Sequence, residues 1–123
     1  SMDVLIVDDD DDFRSLIAST LQRDGHETRE LNDGSDVVDA LSAFDTDVLI
    51  TDIFMPTVDG IETILSARNH DRNLWIIAVS GNEQYLSVSL KLGANVSLEK
   101  PFTKTDLINS LGTGVSASNA ECN

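Results

Sequence analysis

Short, unbroken apolar runs alternate along this chain with stretches of helical period, and that alternation admits few folds. Val4-Leu5-Ile6-Val7, Val48-Leu49-Ile50 and Trp75-Ile76-Ile77-Ala78-Val79 are continuous rather than every-other-residue apolar. Strands covered on both faces read this way, as parallel strands of α/β proteins do. Glu27–Leu31 and Val96–Leu98 are weaker strand candidates. Between them lie apolar stripes at helical spacing. Phe13, Leu16, Ile17 and Leu21 form the first, stopped by Gly25. Val37, Leu41 and Phe44 form the second, after Asn32-Asp33-Gly34 and with Ser35 as its expected N-cap. Ile61, Ile64 and Leu65 begin a third, and Tyr85, Val88 and Leu92 a fourth that ends at Gly93. A fifth carries Leu107, Ile108 and Leu111 behind the capping box Thr103-Lys104-Thr105-Asp106. Five strands each followed by a helix predict a doubly wound parallel α/β sheet with helices on both faces.

The 123 residues suit one domain, and 41% hydrophobic content is too much for a disordered chain. The expected domain runs over residues 3–112. Residues 113–123 read as a flexible tail or linker stub, and Ser1-Met2 as a cloning remnant. No apolar stretch approaches the roughly 20 residues of a membrane span, and no signal peptide precedes Asp3, so a cytoplasmic location is expected. A formal charge of −14 with only eight Lys and Arg argues against direct nucleic-acid contact. The one cysteine, Cys122, excludes a disulfide framework or a cysteine metal site.

Ligands of open α/β sheets bind beyond the C-terminal ends of the strands. The polar residues that follow each apolar run are therefore informative. Strand one ends in Asp8 and Asp9, strand three in Asp52, strand four in Ser80, and strand five is followed by Glu99-Lys100-Pro101. Three carboxylates at one corner are hard oxygen ligands that suit Mg²⁺. A carboxylate can also be the nucleophile that takes a phosphoryl group, with Mg²⁺, Lys100 and the Ser80 hydroxyl supporting the phosphoryl oxygens. Taken singly, each feature has a plainer reading. Asp10 to Asp12 cap the first helix, Asp8 and Asp9 alone fit an N-cap as well as a metal site, and Asp52 to Pro56 alone fit an ordinary strand exit. The weight lies in their arriving together.

Val7-Asp8-Asp9 with Arg14, Asp52-Ile53-Phe54-Met55-Pro56-Thr57-Val58-Asp59-Gly60, Ser80-Gly81 and Lys100-Pro101-Phe102 together resemble the receiver domain of two-component response regulators. The resemblance implies a flavodoxin-like (βα)₅ fold with strand order 2-1-3-4-5. It implies phosphorylation of Asp52 by a sensor histidine kinase or histidine phosphotransfer protein, and slow dephosphorylation, without turnover of other substrates. It places Mg²⁺ on Asp8, Asp9, Asp52 and the backbone carbonyl of Phe54, with Asp8 acting largely through a water. Ser80 and Lys100 would contact the phosphoryl oxygens, the Lys100–Pro101 bond would be cis, and Gly60 fits a tight entry to helix three. An effector domain, a downstream protein or a homodimer is left open as the output.

Two features depart from the family's usual pattern. Ser97 stands where an aromatic switch residue is common, so that rotamer switch cannot work in its usual form. Phe54 and Asn82 occupy positions resembling those that tune phosphoryl lifetime, and an apolar Phe54 cannot orient an attacking water, which implies a long-lived phosphoryl group. A pseudo-receiver with a defunct pocket is countered by the full set Asp8, Asp9, Asp52, Ser80 and Lys100. A haloacid dehalogenase-like phosphohydrolase wants a second aspartate where Phe54 stands.

Overall fold

The computed structural model describes residues 1–53 and 60–111. Its strands are β1 (Asp3–Val7), β2 (Glu27–Leu31), β3 (Val48–Asp52), β4 (Trp75–Ser80) and β5 (Val96–Glu99). They form one parallel sheet in the order β2-β1-β3-β4-β5. The helices are α1 (Asp11–Arg23), α2 (Val37–Ala43), α3 (Gly60–His70), α4 (Glu83–Leu92) and a last one, α5, over residues 104–111.

The continuous apolar runs are what a sheet buried on two sides requires. Residues of one parity in β1, β3 and β4 (Leu5, Val7, Leu49, Ile76, Ala78) face Val37 of α2, Ile64 and Ala67 of α3, and Leu86 of α4. Those of the other parity (Val4, Ile6, Val48, Ile50, Ile77, Val79) face Ile17 and Leu21 of α1 and Leu107 and Leu111 of α5. Each large aliphatic side chain removed from water in this way stabilises the fold by about 1.5–3 kcal/mol.

Local signals set the helix ends. Asp10 Oδ1 accepts the Phe13 N–H at 3.0 Å and caps α1. At its other end the Gly25 N–H donates to Gln22 O and the His26 N–H to Leu21 O, a Schellman closure with Gly25 at φ +91°. Thr103 and Asp106 exchange side-chain-to-backbone bonds at 3.0 and 3.1 Å, the expected capping box. Ser35 is not the cap expected for α2. Asp33 accepts the Ser35 N–H, a short 3₁₀ turn covers Gly34–Asp36, and α2 starts after it. The fourth stripe is also corrected: Leu86 and Ser89 are the buried residues of α4, whereas Tyr85 and Val88 are exposed. Leu16, Phe44 and Leu65 are likewise exposed members of their stripes. Among the described residues, no helix is long and apolar enough to cross a membrane.

Candidate functional site

β1 and β3 are neighbours in the centre of the sheet, so their C-terminal residues share one rim. Asp8 and Asp9 leave β1, Asp52 ends β3, and each of the three offers a carboxylate oxygen within 4.8 Å of the others. Asp8 and Asp52 are buried while Asp9 is exposed. The donors are all hard oxygens, clustered and of one sign, which is the chemistry Mg²⁺ selects, so the three side chains fit that ion. The fourth expected ligand, the Phe54 carbonyl, lies outside the described residues, as do Met55 to Asp59.

Lys100 follows β5 and reaches back across the rim. Its Nζ lies 2.9 Å from Asp52 Oδ2 and 3.3 Å from Asp8 Oδ2. Burial works against its charge, but the hydrogen bond to Asp52 and the charges of Asp52 and Asp8 outweigh it and hold the lysine above its ordinary pKa. Burial pushes the Asp8 carboxyl up; the Asp10 N–H opposes that rise, Asp52 adds to it, and Lys100 offsets part of it. The site therefore holds more negative charge than its one lysine neutralises.

Several contacts fix these groups in place. Asp8 Oδ1 accepts the Asp10 N–H at 2.9 Å, and Asp8 O accepts from Arg14 Nη1 at 2.7 Å. Arg14 also pairs with Asp11 and Glu30, so one guanidinium braces the β1–α1 turn. The Lys100 N–H donates to Ser80 O at 2.8 Å, tying the end of β4 to the segment after β5. The Lys100–Pro101 bond is cis, as expected. Ser80 is buried at the end of β4, beside β3, and its Oγ accepts the Asn82 N–H at 3.0 Å. Accepting leaves its hydroxyl proton for another acceptor. Asn82 in turn caps α4 through Gln84 N. Gly60, first in α3, passes so close to the backbone of Asp52 and Ile53 that a Cβ there would overlap them, which is why the entry to α3 is glycine.

The sequence-derived set thus assembles: Asp8, Asp9, Asp52 and Lys100 through direct geometry, and Ser80 at the adjacent strand end. Sequence reasoning missed Phe13, treated there only as a core residue. Its ring centroid is 4.0 Å from Lys100 Nζ. Its place in the first turn of the helix that follows Asp8-Asp9 was the available signal.

A family model described as the response regulator receiver domain matches residues 4–112. The chemotaxis protein CheY homolog of Campylobacter jejuni is 35% identical, with 98% of this chain and all of that protein covered. The transcriptional regulatory protein GltR of Pseudomonas aeruginosa is 31% identical over 85% of this chain, which spans only 45% of GltR. Among solved structures, NtrX from Brucella abortus superposes with a TM-score of 0.91 at 27% identity, over 98% of this chain and 28% of NtrX.

Proposed function

This chain belongs to the response regulator receiver domain family, and from that premise we propose that Asp52 accepts a phosphoryl group in a Mg²⁺-dependent reaction. The donor is a phosphohistidine of a sensor kinase or phosphotransfer protein. An oxygen of the Asp52 carboxylate bonds to phosphorus while the bond from phosphorus to the donor imidazole nitrogen breaks, its electron pair staying on nitrogen. One observation carries the reading. Lys100 Nζ bridges Asp52 and Asp8 at 2.9 and 3.3 Å beside a set of three carboxylates, so nucleophile, cation and metal donors meet at one point.

Asp8, Asp9 and Asp52 would hold Mg²⁺, joined by the Phe54 carbonyl. Held there, the ion would supply positive charge to offset that of the phosphoryl oxygens. Lys100 contributes a second positive group already directed at Asp52, and Ser80 donates its hydroxyl proton to a phosphoryl oxygen. The excess negative charge explains why a divalent cation is wanted before an anionic donor can approach.

The product is a signalling state rather than a released metabolite. The receiver spans residues 3–112, and turnover beyond its own phosphorylation and slow dephosphorylation is not part of its task. Output passes to an effector domain, a downstream protein or a second copy. GltR and NtrX extend well beyond the matched region, whereas the CheY homolog does not. Phe54, two residues past Asp52 in the sequence, implies slow loss of the phosphoryl group, and its replacement by a polar residue should hasten that loss.

The test is intact-mass measurement after incubation with Mg²⁺ and acetyl phosphate. One phosphoryl adduct is expected on the wild type and none on Asp52→Asn. Chelation of Mg²⁺ should abolish it as well. No adduct on the wild type would favour a pure interaction module, and repeated turnover of phosphoesters would favour a hydrolase.

A further inference from the structure

Phe13 sits in the first turn of α1, half-buried, with its backbone N–H held by Asp10. Its ring packs edge-on against Phe102 at a centroid separation of 5.7 Å and an interplanar angle of 78°. The two rings thereby fix each other's planes. Lys100 Nζ lies 4.0 Å from the Phe13 centroid while contacting Asp52 and Asp8. The ammonium is thus bounded on two sides by carboxylates and on a third by an aromatic ring.

A lysine ammonium is a compact charge at the end of a flexible four-carbon stem. Carboxylates attract it but do not fix the stem, and water competes for it, since the Lys100 side chain retains 25% exposure. A ring face differs from a merely apolar wall because its quadrupole presents negative potential to the cation. We propose that Phe13 is a positioning residue for Lys100. Its ring face holds the ammonium against Asp52 before any phosphoryl group arrives, so that little reorganisation of the lysine remains for the transfer step. Phe102 keeps that face turned towards the cation. The proposal rests on the reading of Asp52 as phosphoacceptor.

The discriminating experiment replaces Phe13 site-specifically with mono-, di- and trifluorophenylalanine, which keep the ring's shape and weaken its negative face. The phosphorylation rate with acetyl phosphate and Mg²⁺ should fall stepwise, by about threefold to tenfold over the series. In metal-free protein the Lys100 ¹⁵Nζ resonance should move with each fluorine while Tm stays constant. Phe13→Leu should match the slow end of the series, and Phe13→Trp should restore the rate. A wild type that forms the Asp52 adduct, with rates flat across the series, overturns the role of Phe13 alone. A wild type without any Asp52 adduct overturns the phosphoacceptor reading and this proposal with it.

Discussion

Asp8 is the residue at which stability and function pull in opposite directions. Its side chain is 3% exposed, it faces Asp52, and it shares a single lysine with it. Because burial raises its folded-state pKa above the ordinary 3.8, the folded protein retains that proton after the unfolded chain has lost it. Stability linked to Asp8 is therefore present at acid pH and is lost as pH climbs through the carboxylate range. Asp8→Asn is expected to raise Tm in metal-free buffer at neutral pH, with the advantage shrinking towards pH 4. The same substitution should remove much of the thermal stabilisation that Mg²⁺ gives the wild type. Calorimetric scans across pH, with and without Mg²⁺, check both statements. An Asp8→Asn protein less stable than wild type at neutral pH without metal would contradict the assignment.

At the scale of elements, the end of the molecule opposite the site is closed by one side chain. Arg68, near the end of α3, donates to the carbonyls of Asp71, Arg72 and Leu74, to Gly93 O through two nitrogens, and to Asn95 Oδ1. Asn95 Oδ1 also accepts the Ile76 N–H, so the α3–β4 and α4–β5 connections are joined through Arg68. Burial lowers the Arg68 pKa, and the carbonyl dipoles take the place of its lost water. Arg68→Met keeps the stem and deletes the donors, at an expected cost of about 2–4 kcal/mol. Urea denaturation measures that loss, and hydrogen exchange should quicken at Ala94 and Asn95. No sequence pattern announces such a hub, because its acceptors are mostly backbone carbonyls, which every residue carries. The strands were legible for the converse reason: burial on both faces writes itself directly into composition. Helix faces were legible only in part. The apolar arc of α4 covers more than half its circumference, so Tyr85-Val88 and Leu86-Ser89 are rival stripes, and only packing against β4 and β5 selects the second. The convergence of Asp8, Asp9, Asp52 and Lys100 on one rim could be read because these residues follow strand ends. Phe13 could not, since an aromatic ring at a core spacing looks the same whether or not a lysine lies over it.

Taken whole, the molecule is a polyanion of formal charge −14 carrying a carboxylate cluster at one rim. Self-repulsion on that scale destabilises the compact state and is screened by salt. Tm is expected to rise between about 10 and 150 mM monovalent salt, as the Debye length falls from about 30 to 8 Å. Mg²⁺ at matched ionic strength should raise it further, since it would also fill the cluster as proposed. A Tm that falls with salt would mean that attractive pairs dominate instead. Partners with basic docking faces should associate faster at low salt, and duplex DNA should not bind. Within this body, α4 is capped by Asn82, whose backbone N–H is hung from the Ser80 hydroxyl oxygen. A hydroxyl that tethers a helix, as this one does, would make the message positional once it met the proposed phosphoryl group. Under the proposed phosphorylation, what would leave the pocket is a shift of the peptide groups over residues 80–84 that hang from that hydroxyl. Such a message would need no aromatic ring at Ser97, and a protein reading it would feel for where α4 starts.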